Sequence, residues 1–266
     1  MKFSIANAKI VELKKVPELA KFLAGKVGRK TKKVYSFDLL SGYSCPFAKD
    51  CLSKVVLIDG KRKIKDGPEM KFRCFSASQE VQYDDVYENR NNNFQELRNM
   101  DEFEMTCAIQ EVMPDDLGIC RIHVAGDFFN QKYFNAWVSI ARNNPDKLFY
   151  AYTKSLPFWM KRRNDIPENM VLTSSRGGRR DDLIDSENLK EAVVVFSEAQ
   201  AENLGFDIDH DDSHAARPEL KNQSFALMIH GTQASGSDAS KALQLLRKNN
   251  VKHSYNRKKN PVEQNA

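Results

Sequence analysis

The chain has little cysteine and no long hydrophobic run. Five of its 266 residues are cysteine, and an odd number of thiols does not suit a framework of paired disulfides. No run of about 18 apolar residues occurs, so we expect no membrane-spanning helix. Residues 1–23 carry charges throughout and lack the apolar segment of a secretory signal. These absences favour a reducing cytoplasm, in which free thiols persist.

Positive charge is concentrated at the two ends of the chain, whose net charge is +5. Residues 1–33 hold ten Lys and Arg against two Glu, and residues 247–259 hold six basic residues and no acidic one. Such ends could attract a polyanion such as nucleic acid, or they could be solvated flanks. We interpret residues 1–33 as a basic N-terminal appendage and residues 251–266 as a basic C-terminal tail. Residues 34–250 are predicted to form a single domain.

Six short runs rich in β-branched and aromatic residues indicate strands. They lie at residues 34–40, 121–125, 148–153, 170–174, 192–196 and 224–230. The segments between them have helical character. Residues 130–143 place apolar side chains on one face after the N-cap candidate Asn130. Residues 237–249 and 78–113 are also predicted to be helical, the latter with a break near residues 91–93.

The strands are nearly continuous apolar runs, which is typical of buried parallel strands. Their spacing leaves room for a crossover helix between most neighbours. Six such units could form a partial parallel (β/α)6-type barrel or an open doubly wound sheet. The sequence favours an α/β fold with a partial barrel.

Polar or Gly-rich residues follow each predicted strand. Because the carboxyl ends of parallel strands share one edge of a sheet, these residues predict a common ligand pocket. Asp127 could accept hydrogen bonds from an ammonium group or a ribose hydroxyl, and Lys154 and Arg176 could hold a carboxylate or phosphate. The predicted pocket residues are Gly126, Asp127, Lys154, Ser174, Ser175, Arg176 and His230.

Three of the five cysteines flank one loop region after the first predicted strand. Cys45 and Cys51 are separated by five residues, and Cys74 follows after 22 more, with no nearby fourth cysteine or histidine. A structural zinc site usually has four N or S ligands in close pairs. Three thiolates fit better a [4Fe–4S] cluster that leaves one iron open to a ligand. The alternative is zinc completed by a distant residue, for which the candidates are Cys107, Cys120 and His230.

A second group of metal-ligand types occurs in the segment DIDHDDSH at residues 207–214. His210, Asp211, Asp212 and His214 suit a divalent metal and would allow a metal-dependent hydrolase. A solvated acidic loop is the alternative interpretation.

A three-cysteine site after the first strand of a partial barrel resembles the radical S-adenosylmethionine enzymes. In that superfamily S-adenosylmethionine binds the open iron, although its cysteines follow a Cys-x3-Cys-x2-Cys pattern that this chain lacks. Gly126 and Asp127 correspond in position to the motif that contacts the methionine amino group. Ser174 and Ser175 correspond to positions that contact the ribose. The resemblance implies radical or reductive chemistry on a small ligand.

A more extensive resemblance is to the phage-encoded "gene product eighty-eight" family. It is carried by SCPFAKDC, FRCFSASQE, RIHVAGDFFNQKYFNAW, FYAYTKSL, the Ser-Ser-Arg-Gly-Gly turn and ALMIHGTQASGS, which together span residues 39–246. It implies a bacteriophage protein of the host cytoplasm with a cysteine-bound iron–sulfur cluster. It leaves open a nucleic-acid-binding or regulatory module in which a cluster or zinc is structural.

Overall fold

The computed structural model describes residues 1–251. The strands are β1 (Ser4–Ile5), β2 (Lys26–Val27), β3 (Lys30–Thr31), β4 (Lys33–Phe37), β5 (Ser53–Ile58), β6 (Lys61–Asp66), β7 (Leu117–Ile122), β8 (Leu148–Thr153), β9 (Met170–Ser175), β10 (Glu191–Val195) and β11 (Phe225–Met228). The α-helices are α1 (Ala20–Leu23), α2 (Phe75–Gln82), α3 (Asp84–Leu97), α4 (Glu102–Glu111), α5 (Gln131–Asn143), α6 (Leu156–Met160), α7 (Asp182–Ser186), α8 (Glu198–Leu204), α9 (Ser213–Ala216) and α10 (Asp238–Lys248). Short 3-10 helices occupy Ile10–Lys15, Pro17–Leu19, Arg163–Asp165 and Pro218–Leu220.

One seven-stranded sheet organises the chain, in the order β1-β4-β7-β8-β9-β10-β11. β1 pairs antiparallel with β4, and every other neighbouring pair is parallel. All six predicted strands are present, although the second runs over Leu117–Ile122 and not over 121–125, and a mixed α/β fold with a mainly parallel sheet is confirmed. The sheet does not close into a barrel among the described residues, since β1 and β11 stand at opposite ends of the order.

The predicted helices are confirmed, with one correction. The Asn130 side chain caps α5 by accepting a hydrogen bond from the backbone N of Tyr133, and the Ser237 side chain caps α10 in the same way. The helical region at 78–113 is not broken near residues 91–93. Its breaks fall at Tyr83 and between α3 and α4, whereas Asn93 is buried inside α3 and binds the backbone carbonyls of Lys2 and Asp38.

Hydrophobic cores lie on both faces of the sheet, because alternate residues of a strand point to opposite sides. In β8, Phe149 and Ala151 belong to the core that α5 covers, and Leu148 and Tyr150 belong to the other. Residues 1–33, described from their composition as a basic appendage, contribute to this second core. Ile10, Leu13 and Leu19 are fully buried in it. The N-terminal segment is therefore packed against the sheet rather than appended to it.

Two hairpins outside the main sheet were not predicted from the sequence. β2 pairs with β3, and β5 pairs with β6. The β5–β6 hairpin fills most of the segment between Cys51 and Cys74. Apart from its first residue, the predicted C-terminal tail lies outside the described residues.

Candidate functional site

The loop that carries Cys45 rests on the carboxyl end of β7. The backbone N of Leu39 donates a hydrogen bond of 2.9 Å to the carbonyl of Ala125. Gly126 has a φ of +87°, and a Cβ at this position would lie 2.5 Å from Ser44 Oγ and 2.7 Å from Leu39 Cβ. Only glycine combines this conformation with so close an approach. Gly126 thus has a packing role that positions the residue before Cys45.

The segment between Cys45 and Cys51 pairs with the turn that follows β9. The backbone N of Asp50 donates to the carbonyl of Gly177 at 2.9 Å, and that of Arg179 donates to the carbonyl of Phe47 at 2.8 Å. The turn is held in shape by Asp181, whose carboxylate accepts hydrogen bonds from the backbone N of the two glycines of the turn. The predicted Gly-rich turn therefore supports the cysteine loop.

Cys74 is placed at the start of α2 by contacts with the carboxyl end of β11. The Gln233 side chain accepts a hydrogen bond from the backbone N of Arg73 at 2.6 Å and donates one to its carbonyl at 3.1 Å. The rings of Phe75 and His230 lie 4.8 Å apart. The residues on both sides of Cys74 are thus fixed to the β11 end.

The three thiols and two neighbouring charges interact electrostatically. Burial raises the pKa of the Cys45 thiol well above its ordinary value, and Asp127 and the other two cysteines raise it further. Burial also raises the pKa of Cys51 to about 11, with Lys154 opposing this shift and Cys74 adding to it. The two segments are also joined directly, since the backbone N atoms of Lys71 and Phe72 donate to the carbonyl of Asp50. The three cysteines therefore lie in one region although they come from two separate segments.

No group of three or more His, Cys, Asp or Glu side chains within residues 1–251 is arranged to hold a metal ion. The candidates for a distant fourth ligand lie in different environments. Cys107 is exposed on α4, and Cys120 is buried in β7 among hydrophobic side chains. His230 Nδ1 is 3.0 Å from the backbone O of Met228, and burial lowers the pKa of its imidazole. Neither the predicted cluster nor the zinc alternative is confirmed by this arrangement.

Asp127 is buried and makes its hydrogen bonds within the protein. Its Oδ1 accepts from Thr153 Oγ1 at 2.6 Å and from the backbone N of Phe128 at 2.7 Å. Its Oδ2 accepts from the backbone N of Lys154 at 2.8 Å. Burial raises the pKa of the Asp127 carboxyl, and these hydrogen bonds oppose the shift. The carboxylate joins the ends of β7 and β8, and Oδ2 keeps one acceptor position.

Lys154 is a buried cation bound by neutral oxygens. Its Nζ donates to the carbonyl and hydroxyl of Ser175 at 2.8 and 2.7 Å, and to the carbonyl of Arg176 at 3.0 Å. Within residues 1–251 no carboxylate forms an ion pair with it at 4.0 Å or less. The Lys154 ammonium opposes the rise in the pKa of both Asp127 and Cys51, so these two groups lie within its electrostatic reach.

The other predicted pocket residues on β9 and after it differ in their contacts. The Ser174 hydroxyl is fully buried and makes no hydrogen bond among the described residues. The Arg176 guanidinium forms ion pairs with Asp185, at 2.6 Å, and with Glu191, and both raise its pKa. Arg176 thus serves as a link between the β9 turn, α7 and β10.

The segment at residues 207–214 is solvated only in part, with Asp207 and His210 exposed, and it is not an assembled metal site among the described residues. Asp209 and Asp212 are buried. Asp212 Oδ2 is 2.5 Å from Arg121 Nη1, and its Oδ1 is 2.9 Å from Lys9 Nζ. These cations lower the pKa of the Asp212 carboxyl, while burial opposes them. Asp212 thus belongs to a buried ionic network, and its partners Lys9 and Arg121 come from distant parts of the chain.

A cavity of about 290 Å³ adjoins the cysteine loop. Cys45 lines it, together with three basic residues, Lys54, Lys65 and Arg179. The first two belong to the β5–β6 hairpin. Sequence reasoning missed this surface, although the alternation of lysine in KRKIK at residues 61–65 is a signal for a one-sided basic strand.

The fold and the site define an α/β protein with a cysteine-bearing loop at the carboxyl edge of a parallel sheet. The family model described as Gene product 88 matches residues 5–248, and the chain belongs to this family. Over 122 residues the chain is 28% identical to the Gene 88 protein of Mycobacterium phage L5. The alignment covers 42% of this chain and 44% of that protein, so the chain spans less than half of this curated relative. No solved structure matches the chain.

These comparisons confirm the predicted resemblance to the "gene product eighty-eight" family and support a bacteriophage origin. They give no support to the resemblance to radical S-adenosylmethionine enzymes. No helix within residues 1–251 is long and apolar enough to cross a membrane.

Proposed function

We propose that Cys45, Cys51 and Cys74 hold a [4Fe–4S] cluster in a phage protein that acts in the host cytoplasm. One iron would remain open toward the carboxyl edge of the sheet, where it would bind a small ligand. The observation that carries this proposal is that the two cysteine-bearing segments are joined beside Cys51, where the backbone N atoms of Lys71 and Phe72 donate to the carbonyl of Asp50 at 2.8 and 3.1 Å. Cysteines that bind separate irons of a cluster need not converge on one point, as the ligands of a single ion must.

The contacts around the cysteines support a built site. Each of the two cysteine-bearing segments is fixed to a different strand end, through Gly126 and the turn after β9 for the first and through Gln233 for the second. Lys154 adds a buried positive charge that interacts with Cys51. Thiolates bound to iron carry negative charge, and a fixed cation stabilises it. The donor types and the neighbouring cation support the proposed cluster.

The ligand that we propose for the open iron is S-adenosylmethionine. The support is the order of the parallel strands, which follow one another along the chain as in a partial barrel. A second support is the buried Ser174 hydroxyl, which is left without a partner among the described residues. Asp127 and Lys154 would keep their structural contacts and act by charge. When bound, the cluster would supply an electron for reductive cleavage of the ligand.

Anaerobic reconstitution with iron and sulfide tests the proposal. The expected product is a brown protein that, after reduction, gives an electron paramagnetic resonance signal of a [4Fe–4S] cluster. Adding S-adenosylmethionine should change that signal if it binds the open iron. An unchanged signal would contradict the binding of S-adenosylmethionine but would leave the proposed cluster standing. A colourless protein that binds zinc stoichiometrically and no iron would contradict the proposal.

A nucleic-acid-binding or regulatory module is the second candidate function. In this alternative the cluster or a zinc ion would be structural. The β5–β6 hairpin, rather than the basic ends of the chain, is the observation that favours it.

A further inference from the structure

The β5–β6 hairpin has one face toward the protein and one face away from it. Val55 is buried, and the hydroxyl of Tyr43 donates a hydrogen bond to its carbonyl at 2.9 Å. Asp66 is fixed by Arg73, whose Nε lies 3.0 Å from Oδ1, and by Ser53 Oγ at 2.9 Å. α2 packs against both strands. The residues that alternate with these form the outer face.

The outer face carries a row of lysines. In the pairing of the two strands Lys54 stands opposite Lys65, Val56 opposite Lys63, and Ile58 opposite Lys61. Lys61, Lys63 and Lys65 are exposed. Because residues two apart on a strand repeat at about 6.7 Å, the three charges form a regularly spaced row. We name this surface, made of Lys54, Lys61, Lys63 and Lys65, the lysine face.

The lysine face is not neutralised by the protein. In the part of the chain that the structure describes, none of its four ammonium groups forms an ion pair with a carboxylate. The Lys54 ammonium instead lies 4.9 Å from the centre of the Tyr43 ring. Two like charges directly opposite each other in a hairpin destabilise it. An external anion would relieve this repulsion.

The lysine face leads into the cavity beside Cys45. Lys54 and Lys65 belong to both, and Arg179, whose guanidinium is paired with Glu69 at 3.4 Å, also lines the cavity. Asp66 also lines the cavity, but its carboxylate is paired with Arg73. A row of cations therefore continues from the tip of the hairpin to the cysteine loop.

We propose that the lysine face binds the phosphate backbone of a nucleic-acid duplex. A regular row of cations on a rigid ribbon matches a polymer with regularly spaced negative charge. A two-stranded β-ribbon also fits the major groove of DNA, which is about 12 Å wide. Val56 and Ile58, which stand opposite Lys63 and Lys61, offer apolar contacts to the groove. The inference does not depend on the proposed cluster.

Fluorescence anisotropy with a labelled DNA duplex of mixed sequence tests this inference on the full chain. The test variant carries Lys61→Gln, Lys63→Gln and Lys65→Gln. The matched control carries Lys26→Gln, Arg29→Gln and Lys30→Gln, which remove the same charge from the exposed β2–β3 hairpin. Circular dichroism and the melting temperature establish that both variants are folded.

The expected result is that the test variant binds about tenfold or more weakly at 100 mM salt, while the control binds as the unaltered protein does. The slope of log K against log salt should fall by about 0.9 for each phosphate that the variant no longer neutralises. The iron-free and the reconstituted protein should bind the duplex equally, which separates this inference from the proposed cluster. Equal affinity of the test variant and the unaltered protein would overturn it. Lysine-dependent binding to anionic lipid vesicles but not to DNA would also overturn it.

Discussion

The Gln233 side chain receives a hydrogen bond of 2.6 Å from the backbone N of Arg73, 160 residues earlier in the chain. Its amide group also donates to the carbonyls of Arg73 and His230. One side chain thus joins the carboxyl end of β11 to the residue that precedes Cys74. This contact fixes the backbone next to Cys74 to the sheet.

We expect Gln233→Ala to make the position of Cys74 less well fixed. The change leaves the Arg73 backbone without its side-chain partner and should destabilise the protein by about 1–3 kcal/mol. The iron content after reconstitution should fall while the far-ultraviolet circular dichroism is retained. Gln223→Ala is the control, since Gln223 is exposed and its contact with Asp207 is long, at 3.4 Å. Equal iron content in the two variants would show that this contact does not position Cys74.

Gly126→Ala should displace the loop that carries Cys45. The new Cβ would meet Ser44 Oγ at 2.5 Å, and the φ of +87° would be strained for alanine. Gly205→Ala is a matched control, because Gly205 also has a positive φ but nothing lies within 4 Å of its Cβ position. We expect the control to lose about 1–2 kcal/mol of stability and to keep its iron. Gly126→Ala should lose both more stability and the cluster, as measured by urea denaturation and iron analysis.

The raised thiol pKa values predict slow alkylation of the iron-free protein. The thiolate is the reactive form, and the pKa of Cys51 is about 11. Between pH 7 and pH 9.5 the reaction of Cys51 with iodoacetamide should therefore accelerate about tenfold per pH unit. Peptide mass spectrometry distinguishes the alkylation of Cys51 from that of Cys107, which is exposed and serves as the accessible reference thiol. A Cys51 rate that levels off below pH 9 would contradict the predicted protonation.

The buried network around Asp212 should make stability depend on pH. Because the folded state lowers the pKa of this carboxyl, its contribution is fully present above the unfolded value of about 3.9 and is lost as the pH falls through the folded value. Asp212→Asn suits the left-handed φ of +66° but leaves Arg121 unpaired. It should cost about 3–5 kcal/mol at pH 7, and the cost should shrink below pH 3.9.

The control for this prediction is Asp207→Asn, since the Asp207 side chain is 74% exposed. It should change the free energy of unfolding by less than about 1 kcal/mol. A loss for Asp212→Asn that is constant from pH 7 to pH 3 would mean that the charge of Asp212 does not stabilise the fold.

Local signals in the sequence were sufficient for six of the seven strands of the main sheet, all but β1, and for the helices that cover it. Continuous β-branched and aromatic residues indicate the strands at residues 148–153 and 170–174, and the capping chemistry of Asn130 and Ser237 indicates where two helices begin. The parallel arrangement followed from the same runs. These features depend on neighbours in sequence, which the sequence shows directly.

Predictions from composition were wrong for segments that contain both charged residues and buried residues. Residues 1–33 hold many lysines, but Ile10, Leu13 and Leu19 are buried beneath them. Likewise Asp212 belongs to a run of acidic residues, and its partners Lys9 and Arg121 are far away in the chain. The sequence does not reveal which distant cation neutralises a buried carboxylate.

The strand-end residues were placed correctly along the strands, but their partners could not be foreseen. Asp127 and Lys154 lie at neighbouring strand ends, where they bind backbone and hydroxyl groups of the protein. Arg176 pairs with Asp185 and Glu191. A residue that follows a strand can be assigned to an edge of the sheet from the sequence. The direction of its side chain depends on the hydrogen-bond and ion-pair partners that neighbouring elements supply.

The most direct test of the account is the count of iron and acid-labile sulfide bound per chain after anaerobic reconstitution. We predict about four of each for the unaltered protein and for Cys107→Ala, as a [4Fe–4S] cluster requires. Cys45→Ala, Cys51→Ala and Cys74→Ala should each lose most of both. Full iron and sulfide in any of these three variants, or none in the unaltered protein, would contradict the account.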